Sequence, residues 1–338
     1  MNIQSMLLMI LLDPDTYILI GWVVLLMLSV LAGVVLYLQH RRWVRWCVSS
    51  LMLLIWAGFL YGSYVGFSQF RVLEVEYASA DLPEAFDGYR ILQFGDAHLG
   101  TFEGKRRELL ERMVDSIKAQ HADMIVFTGD LQNKHPDEVT SFMKLLSSIK
   151  APDGVYSVLG NHDYPDYLGT DDPFEISGLT GRSVENHKLL GWDLLCNSHR
   201  FIHRGNDSIV IAGMDNDGEG RFPQNGDISQ TLSRVHRNQF VVMLEHDPSS
   251  WRRKILPHCH AQLTLSGHTH GGQLSLFGWS PASLRYKEYS GIYRMGERAL
   301  CVTQGIGGVI PFRLGTPAEI VVITLKHYCP KKFSHKVS

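Results

Sequence analysis

Residues 158–163 read VLGNHD: an apolar, strand-like run stops at Gly160 and is followed at once by Asn161, His162 and Asp163. Side chains of these types bind metals or transfer protons. Four further segments have the same form, namely ILQFGDAH at 91–98, MIVFTGD at 124–130, VVMLEH at 241–246 and LTLSGHTH at 263–270. We therefore expect five strand ends to bring oxygen and nitrogen ligands toward one place.

The spacing of the first three segments predicts parallel strands connected by helices. Apolar side chains recur at helical intervals in residues 104–120 and 138–150, which lie between these strands. Separations of about 30 residues suit βαβ units, whose parallel strands place their carboxyl ends at one edge of a sheet. Because strands and helices alternate first and strands dominate later, we predict two sheets packed face to face with helices outside.

The remaining elements are assigned from shorter patterns. We predict strands at 72–77, 208–212, 299–303 and 319–325, and short helices at 230–237 and 248–254. Residues 164–206 show the least periodicity and contain Asp166, Asp171 and Asp172. This region is predicted to be a loop with short helices near the mouth of the site, where it would shape substrate choice.

Composition excludes some classes of function. The 338 residues carry a formal net charge of −2 and give a pI near 6.8, so no nucleic-acid partner is expected. The five cysteines are scattered without a CxxC pair, which argues against a zinc ribbon or a thioredoxin-type site. Such a sparse set also argues against a disulfide framework, although the sequence still allows a single disulfide bridge between two of the cysteines.

Two uncharged apolar runs, residues 17–38 and 46–67, are long enough to cross a bilayer as helices. A cleaved signal peptide is the alternative for the first run, but this run lacks a basic flank and exceeds the usual length. We predict a transmembrane hairpin, with residues 1–69 as a membrane anchor, 70–327 as a globular domain and 328–338 as a solvated tail.

Loop charge predicts the orientation of the hairpin and hence a multi-pass protein of the cell membrane. Residues 40–45 contain three arginines and a histidine, whereas the segment before Tyr17 contains Asp13 and Asp15 but no lysine or arginine. The positive-inside rule then places the loop in the cytoplasm and the globular domain on the other side of the membrane. Arg71 follows the second run and large domains can override loop charge, so the opposite orientation stays open.

Three glycines recur at every fourth position of the second run, at Gly58, Gly62 and Gly66. This spacing allows another helix to approach closely. We expect packing within the hairpin rather than dimerisation, and the oligomeric state is left open.

The candidate ligands are too many for one first-row metal, and the carboxylate of Asp130 is able to bridge two. They are Asp96, His98, Asp130, Asn161, His246, His268 and His270. Oxygen and imidazole donors without thiolate suit Mn²⁺, Fe or Zn²⁺ and do not choose between them. Two such cations lower the pKa of a bridging water, which becomes the nucleophile, and bind the attacking and leaving oxygens. The predicted chemistry is hydrolysis of a phosphate ester.

Taken in order, GDAHLG, TGDLQN, LGNHDY, LEHDP and SGHTHGGQ resemble the motif series of the calcineurin-like metallophosphoesterases, over roughly residues 89–325. The HTHGGQ motif, the YSGIY segment at 289–293 and a late glycine-rich and Pro-x-Arg segment are similar to the membrane-attached bacterial branch. The resemblance implies an α/β fold, a four-layer α/β/β/α sandwich, here preceded by the transmembrane hairpin.

The resemblance also implies a role for each motif residue. Asp96, His98, Asp130 and His270 match the ligands of a first metal, and Asp130, Asn161, His246 and His268 match those of a second. His162 matches the residue that contacts the phosphate and protonates the leaving oxygen, and Asp163 would orient His162 by hydrogen bonding.

The sequence departs from the family pattern at a few positions. Gly95 and Ala97 stand where the family often has serine and a larger apolar residue, and Glu245 and Asp247 add carboxylates beside a ligand. Arg313 is a candidate substrate contact, although a simple turn would explain its glycine-rich surroundings equally well.

The function expected from this resemblance is that of a membrane-anchored dinuclear phosphoesterase acting on a phosphodiester or pyrophosphate bond. Its substrate could be lipid-linked, such as the UDP-2,3-diacylglucosamine that some similar proteins hydrolyse. That nucleotide lipid is cytosolic, which conflicts with the orientation expected from loop charge. The alternative is a catalytically silent metal-binding scaffold of the same fold, which would be marked by loss of a ligand, and no ligand is lost.

Overall fold

The computed structural model describes residues 14–165 and 172–328. Several residues used above, among them Asp13, Asp166, Asp171 and the tail beyond residue 328, lie outside these ranges.

The helices are α1 Pro14–Leu38, α2 Arg42–Tyr64, α3 Arg107–Ala119, α4 Met143–Leu146, α5 Pro173–Leu189, α6 Ile228–Thr231 and α7 Leu256–His258. Helix α4 follows a 3₁₀ segment at Pro136–Phe142, and α7 follows a π-helical turn at Trp251–Ile255. Further 3₁₀ turns occupy Gly66–Ser68, Glu84–Phe86, Leu99–Phe102, Gly104–Arg106, Asn161–Asp163, His270–Gly272 and Pro281–Leu284.

The strands are β1 Phe70–Ser79, β2 Arg90–Phe94, β3 Met124–Phe127, β4 Val155–Ser157, β5 Asp193–Leu194, β6 Ser198–Arg204, β7 Asp207–Gly213, β8 Phe240–Leu244, β9 Leu263–Ser266, β10 Gly291–Met295, β11 Arg298–Val302 and β12 Ala318–His327. They form two six-stranded sheets with the orders β1-β12-β2-β3-β4-β5 and β10-β11-β9-β8-β7-β6. Strands β2 to β5 are parallel, as are β7, β8, β9 and β11. The predicted parallel units are therefore confirmed.

Three apolar clusters separate four layers. Because successive side chains of a strand point to opposite faces, Ile91 lies between the two sheets while Leu92 faces the helices outside the first sheet. Helix α3 covers Leu92 with Leu110 and Met113. Outside the second sheet, Trp251 packs with alternate residues of β7 and β8. The order of layers is α/β/β/α, as predicted.

Replacing Ile91 with alanine is expected to lower the free energy of unfolding by about 2–5 kcal/mol, because a large side chain is removed from the close-packed layer between the sheets. Ile91 is fully buried there. Thermal or denaturant unfolding of the detergent-solubilised protein measures the loss. Ile292→Ala on edge strand β10 is the matched control, since Ile292 is 41% exposed and should change stability little. Equal stability of the two variants would contradict the layer assignment.

The region predicted as a loop with short helices contains the 17-residue helix α5 and the strands β5 and β6, so that prediction was wrong. The Asp172 side chain caps the helix by accepting a hydrogen bond from Phe174 N, and Pro173 occupies the first turn. Only Leu179, Ser183 and His187 of this helix are buried. Two of these three are polar, so the buried stripe is not apolar and the sequence has little helical periodicity.

Two other predicted helices differ in extent from those in the structure. The helix predicted at 230–237 is the single turn α6, and the one predicted at 248–254 includes the π-helical turn Trp251–Ile255 and continues through α7 to His258. The predicted 138–150 helix is mostly 3₁₀ before α4.

Helices α1 and α2 form a hairpin and are long and apolar enough to cross a membrane. The rings of Trp22 and Trp56 lie 5.2 Å apart, and the Trp56 indole N–H donates to Ser29 Oγ at 2.9 Å. These contacts join the two helices, as predicted.

The glycines of α2 face the globular domain, which corrects the expectation that they serve packing within the hairpin. A Cβ atom on Gly62 would collide with the Phe312 ring, and one on Gly66 would collide with the Arg313 carbonyl. Arg313 N also donates to Gly62 O at 3.0 Å. The small residues therefore let residues 312–314 lie directly against α2.

The hairpin joins the domain at a defined edge of the first sheet. Phe70, the first residue of β1, pairs with Ala318, and Val321 of β12 pairs with Gln93 near the end of β2. Strand β1 therefore begins at the edge where β2, β3 and β4 end. The hairpin and the carboxyl ends of these strands lie on the same side of the molecule.

Candidate metal centre

All seven predicted ligands meet at this edge of the sandwich. Two groups have donor atoms within 4.8 Å of one another, and Asp130 belongs to both: the groups are Asp96, His98, Asp130 and His270, and Asp130, His246 and His268. Asn161 joins the second group through its side-chain oxygen, which lies 3.1 Å from His246 Nε2 and 2.6 Å from His268 Nδ1. The five strand ends thus converge as their sequence pattern predicts.

In the first group, imidazole nitrogens face each other and the carboxylates. His98 Nε2 lies 3.1 Å from His270 Nε2 and 3.5 Å from Asp130 Oδ2. His270 Nε2 is also 3.6 Å from Asp96 Oδ1. Within the described residues, the buried oxygen Asp96 Oδ2 accepts no hydrogen bond. Buried polar atoms are rarely left without a partner, and a cation would satisfy this oxygen.

In the second group, the same carboxylate oxygen faces another imidazole. His246 Nε2 lies 3.3 Å from Asp130 Oδ2 and 3.2 Å from His268 Nδ1. Asp130 Oδ2 is therefore near an imidazole of each group, while Asp130 Oδ1 accepts a hydrogen bond from His162 N at 2.7 Å. One oxygen is placed between the two sets of donors.

Hydrogen bonds on the far side of the rings decide which nitrogens carry protons. His246 Nδ1 lies 2.7 Å from the Thr128 carbonyl oxygen, and His98 Nδ1 lies 3.1 Å from Asn133 Oδ1. These oxygens can only accept, so both Nδ1 atoms are protonated, and the Nε2 atoms are the nitrogens that face the centre. Fixing the tautomer in this way is typical of metal-binding histidines.

Electrostatics in the centre favour a bound cation. Burial raises the pKa of Asp96 to about 7 and lowers the pKa of His98 to about 3. Burial opposes charge on His246, but the neighbouring Asp130 prevails and raises the pKa of His246 to about 10. Asp130 itself is buried, yet His246 and His162 hold its pKa well below the usual value. The carboxylate that attracts a proton to His246 would equally attract a metal ion in place of that proton.

Five of the seven residues have left-handed backbone conformations. The φ angles are 50° at Asp96, 44° at His98, 60° at Asp130, 73° at His268 and 52° at His270. Such conformations are uncommon outside glycine, and they cluster at functional sites where the surrounding structure enforces them. The backbone is bent at each strand end so that the side chain turns toward the centre.

Glycines beside the ligands make room for them. A Cβ atom on Gly160 would collide with Asp130 Oδ1, and one on Gly267 would collide with Asp96 Oδ2. The glycines in VLGNHD and SGHTH therefore let neighbouring strand ends approach each other.

Gly160→Ala is expected to lower activity on the order of 10²-fold, because a displacement of about 1 Å at a reacting group has effects of this size. The added methyl group would push the Asp130 carboxylate out of place. Metal content and hydrolysis rate measure the effect. Gly178→Ala in α5 is the matched control, since its Cβ would meet nothing within 4 Å. Normal metal content and activity in Gly160→Ala would contradict this geometry.

His162 and Asp163 lie in the 3₁₀ turn after β4, but they are not arranged as predicted. The Asp163 carboxylate accepts hydrogen bonds from Gly160 N, Asp130 N and Leu131 N at 2.8–2.9 Å. His162 Nδ1 instead lies 2.5 Å from the Asn133 carbonyl oxygen, to which it must donate. Asp163 thus joins the loops after β3 and β4, and Asn133 orients the imidazole.

Arg313, the predicted substrate contact, is 1% exposed. Its guanidinium group donates to the carbonyl oxygens of Gln304, Gly305, Gly307 and Thr316. In this arrangement Arg313 binds the main chain of the 304–317 segment, and the turn explanation fits it better than a substrate contact.

The carboxylates beside His246 are both buried. Glu245 Oε1 accepts from Asp217 N at 2.9 Å, and burial raises the pKa of Glu245 well above its usual value. Asp247 Oδ2 lies 3.6 Å from His268 Nε2. Asp247 therefore adds negative charge next to a predicted ligand, whereas Glu245 stabilises a neighbouring loop.

Two residues of the site were not predicted. Asn133 contacts both His98 and His162, and the Tyr286 hydroxyl lies 2.7 Å from His268 Nε2. Asn133 is the last residue of TGDLQN, so its place in a motif was a usable signal. Tyr286 approaches His268 from a segment without periodicity, and nothing in the sequence marks it.

Comparisons with known proteins identify the family of this chain. The calcineurin-like phosphoesterase family matches residues 89–272, which is more than half of the chain. A transmembrane protein with metallophosphoesterase domain from Danio rerio is 31% identical over 265 residues, covering 76% of this chain. The chain spans only 57% of the length of that relative.

Two bacterial relatives are covered almost completely. The uncharacterized metallophosphoesterase YkuE of Bacillus subtilis (strain 168) is 31% identical over 80% of this chain and 90% of the relative. An uncharacterized metallophosphoesterase of Aquifex aeolicus (strain VF5) is 29% identical over 76% of this chain and 92% of the relative. The family match over residues 89–272 shows that the chain belongs to the calcineurin-like phosphoesterase family, whose members are hydrolases of phosphoric esters, and the buried cluster of histidines and aspartates is consistent with this.

Proposed function

We propose that this protein is a membrane-attached, dinuclear metal-dependent phosphoesterase. The observation that carries the proposal is the position of Asp130, whose carboxylate belongs to both groups of donors. Asp96, His98 and His270 would complete one metal site, and Asn161, His246 and His268 would complete the other. Two bound divalent cations would activate a water molecule and stabilise negative charge on the phosphoryl oxygens.

The oxygen and imidazole donors support Mn²⁺, Fe or Zn²⁺ without selecting one. The negative charge of Asp247 near His268 is a feature that could influence the choice. Metal analysis of the purified protein, followed by reconstitution of the stripped protein with each ion, would identify the metal and the number bound.

We assign His162 the role of proton donor to the leaving oxygen. Burial lowers the pKa of His162, and its Nδ1 proton is held by the Asn133 carbonyl oxygen. Nε2 is the nitrogen that would exchange a proton with the substrate. A negatively charged phosphoester bound nearby would raise the pKa of the imidazole again and favour the protonated form. Asp163 supports this role indirectly, by holding the Gly160 and Asp130 main chains together.

The substrate we propose is a phosphodiester or pyrophosphate carried by a lipid, with UDP-2,3-diacylglucosamine as one candidate. What supports a lipid-linked substrate is the position of the hairpin at the same edge as the donors. A panel of soluble phosphomonoesters, phosphodiesters and lipid-linked esters, assayed with several divalent ions, tests the proposal. Absence of cleavage with every ion and substrate would instead favour a metal-binding scaffold.

We propose that residues 1–69 are the anchor, 70–327 the catalytic domain and 328–338 a tail. The arginines at 40–45 support a cytoplasmic loop and a domain outside the cytoplasm. Reporter fusions at the C-terminus, one active only inside and one only outside the cytoplasm, distinguish the two orientations.

A further inference from the structure

A tight turn with exposed aromatic residues lies close to the metal centre. Leu276 and Trp279 exchange main-chain hydrogen bonds at 2.9 and 3.0 Å, and Phe277 and Gly278 between them have positive φ angles of 53° and 81°. This is the hairpin geometry that normally carries Asn-Gly or Asp-Gly at its tip. We call residues 276–279 the aromatic turn.

The composition of the aromatic turn is unusual for a surface exposed to water. Phe277 projects fully from the domain, and Leu276 and Trp279 are 48% and 52% exposed. Leu284, a few residues further on, is 80% exposed. A phenylalanine in a left-handed conformation is also strained. A continuous apolar projection of this kind indicates an interaction surface.

The aromatic turn is attached to a segment that lies beside the hairpin. Ser275 N donates to Leu314 O at 2.7 Å, and a Cβ atom on Gly58 of α2 would lie 3.6 Å from the Leu314 side chain. Gly58 lies six residues, or about 9 Å, before the end of α2 at Tyr64. Part of the globular domain therefore lies beside the apolar helix before its last turn, and Ser275, the residue that precedes the aromatic turn, is hydrogen-bonded to this part.

Charged residues lie at the level where the two helices meet the domain. Lys105, Arg106 and Arg112 line a cavity there with Tyr64 and Phe67. Asp15 and Glu108 line it as well, and Asp15 is paired with Arg106 at 2.8 Å. Lysine and arginine side chains at this level would contact anionic lipid head groups. Basic and aromatic side chains together at the end of an apolar helix are typical of an interfacial membrane contact.

We infer that the aromatic turn inserts into the lipid bilayer beside the hairpin and holds the mouth of the metal centre against the membrane surface. His270 is connected to the aromatic turn through only five residues, 271–275. Insertion would therefore present the centre to phosphoesters at the lipid head-group level. This last consequence rests on the catalytic part of the proposed function, whereas the insertion rests only on attachment of the hairpin to the membrane.

Photo-crosslinking tests the insertion without any assay of activity. The full-length protein is reconstituted in vesicles of phosphatidylcholine and phosphatidylglycerol, with Phe277 replaced by benzoylphenylalanine. The matched control carries the same replacement at Leu189, which is 61% exposed at the end of α5, near the opposite edge of the first sheet. We expect strong labelling of lipid at position 277 and little at position 189.

Other outcomes of the crosslinking would overturn the inference. Equal labelling of lipid at both positions would show that the aromatic turn has no special contact with the bilayer. Crosslinking of position 277 to a second copy of the chain would show that the surface is a protein interface instead.

A second measurement concerns the substrate. The double substitution Phe277→Ser and Trp279→Ser should lower turnover of a vesicle-embedded phosphodiester about tenfold by weakening membrane contact. It should leave hydrolysis of a soluble nitrophenyl phosphodiester unchanged, as should Leu189→Ser. Equal loss on both substrates would refute a membrane role for the aromatic turn. If wild-type protein cleaves neither substrate, the proposed function fails while the crosslinking result stands.

Discussion

Asp130→Ala is expected to abolish bound metal and hydrolysis together, with a loss of activity on the order of 10³-fold or more, because the proposed mechanism takes its attacking water from the bound metal ions. Asp130 Oδ2 faces His98 of one group and His246 of the other. Removing this carboxylate disrupts both sites at once. Metal content by elemental analysis and hydrolysis of a soluble diester measure the two losses.

Asp207→Ala is the matched control for this experiment, since Asp207 lies exposed at the start of β7. The control should keep metal and activity. If Asp130→Ala retained as much metal as the wild-type protein, the shared carboxylate would not be a ligand and the dinuclear proposal would be wrong.

His162→Ala is expected to keep its metal and to lose turnover by about 10²–10⁴-fold, the usual contribution of a general acid. The imidazole lies beside the donors, with ring centroids of His162 and His98 4.6 Å apart, but it belongs to neither group of donors. The loss should be smaller for substrates with a good leaving group, such as nitrophenolate, because these need no proton. Comparing an alkyl ester with a nitrophenyl ester therefore isolates the role of the proton donor.

His203→Ala provides the control, because His203 lies exposed on β6, away from the centre. Loss of metal from His162→Ala would make His162 a ligand rather than a proton donor. An identical loss of rate for both leaving groups would point to binding of the phosphate instead.

Much of the site could be predicted because its residues follow apolar strands directly. In VLGNHD and LTLSGHTH the strand, the turn and the donors are contiguous, so local sequence contains both the position and the chemistry. Parallel strands then bring distant segments to one edge without any further information. The four-layer order follows from the same alternation of strands and helices.

Features that depend on contacts between distant residues were missed or misassigned. The spacing of Gly58, Gly62 and Gly66 indicates close approach but does not identify the partner, which is the 312–314 segment rather than another helix. Helix α5 escaped prediction because its buried face includes Ser183 and His187. Arg313 donates hydrogen bonds to main-chain carbonyl oxygens. Every residue has such an oxygen, so the sequence does not indicate which ones an arginine will bind.

The left-handed backbone at five predicted ligands has a further consequence. A short peptide that copied only GDAH or GHTH would relax to ordinary torsions and scatter its donors, since nothing outside the assembled sandwich enforces the bend. An ion that binds only the assembled form raises the free energy of unfolding in return. Metal binding and folding are therefore coupled. A chelator should lower the melting temperature of the protein although it does not act on the hydrophobic core.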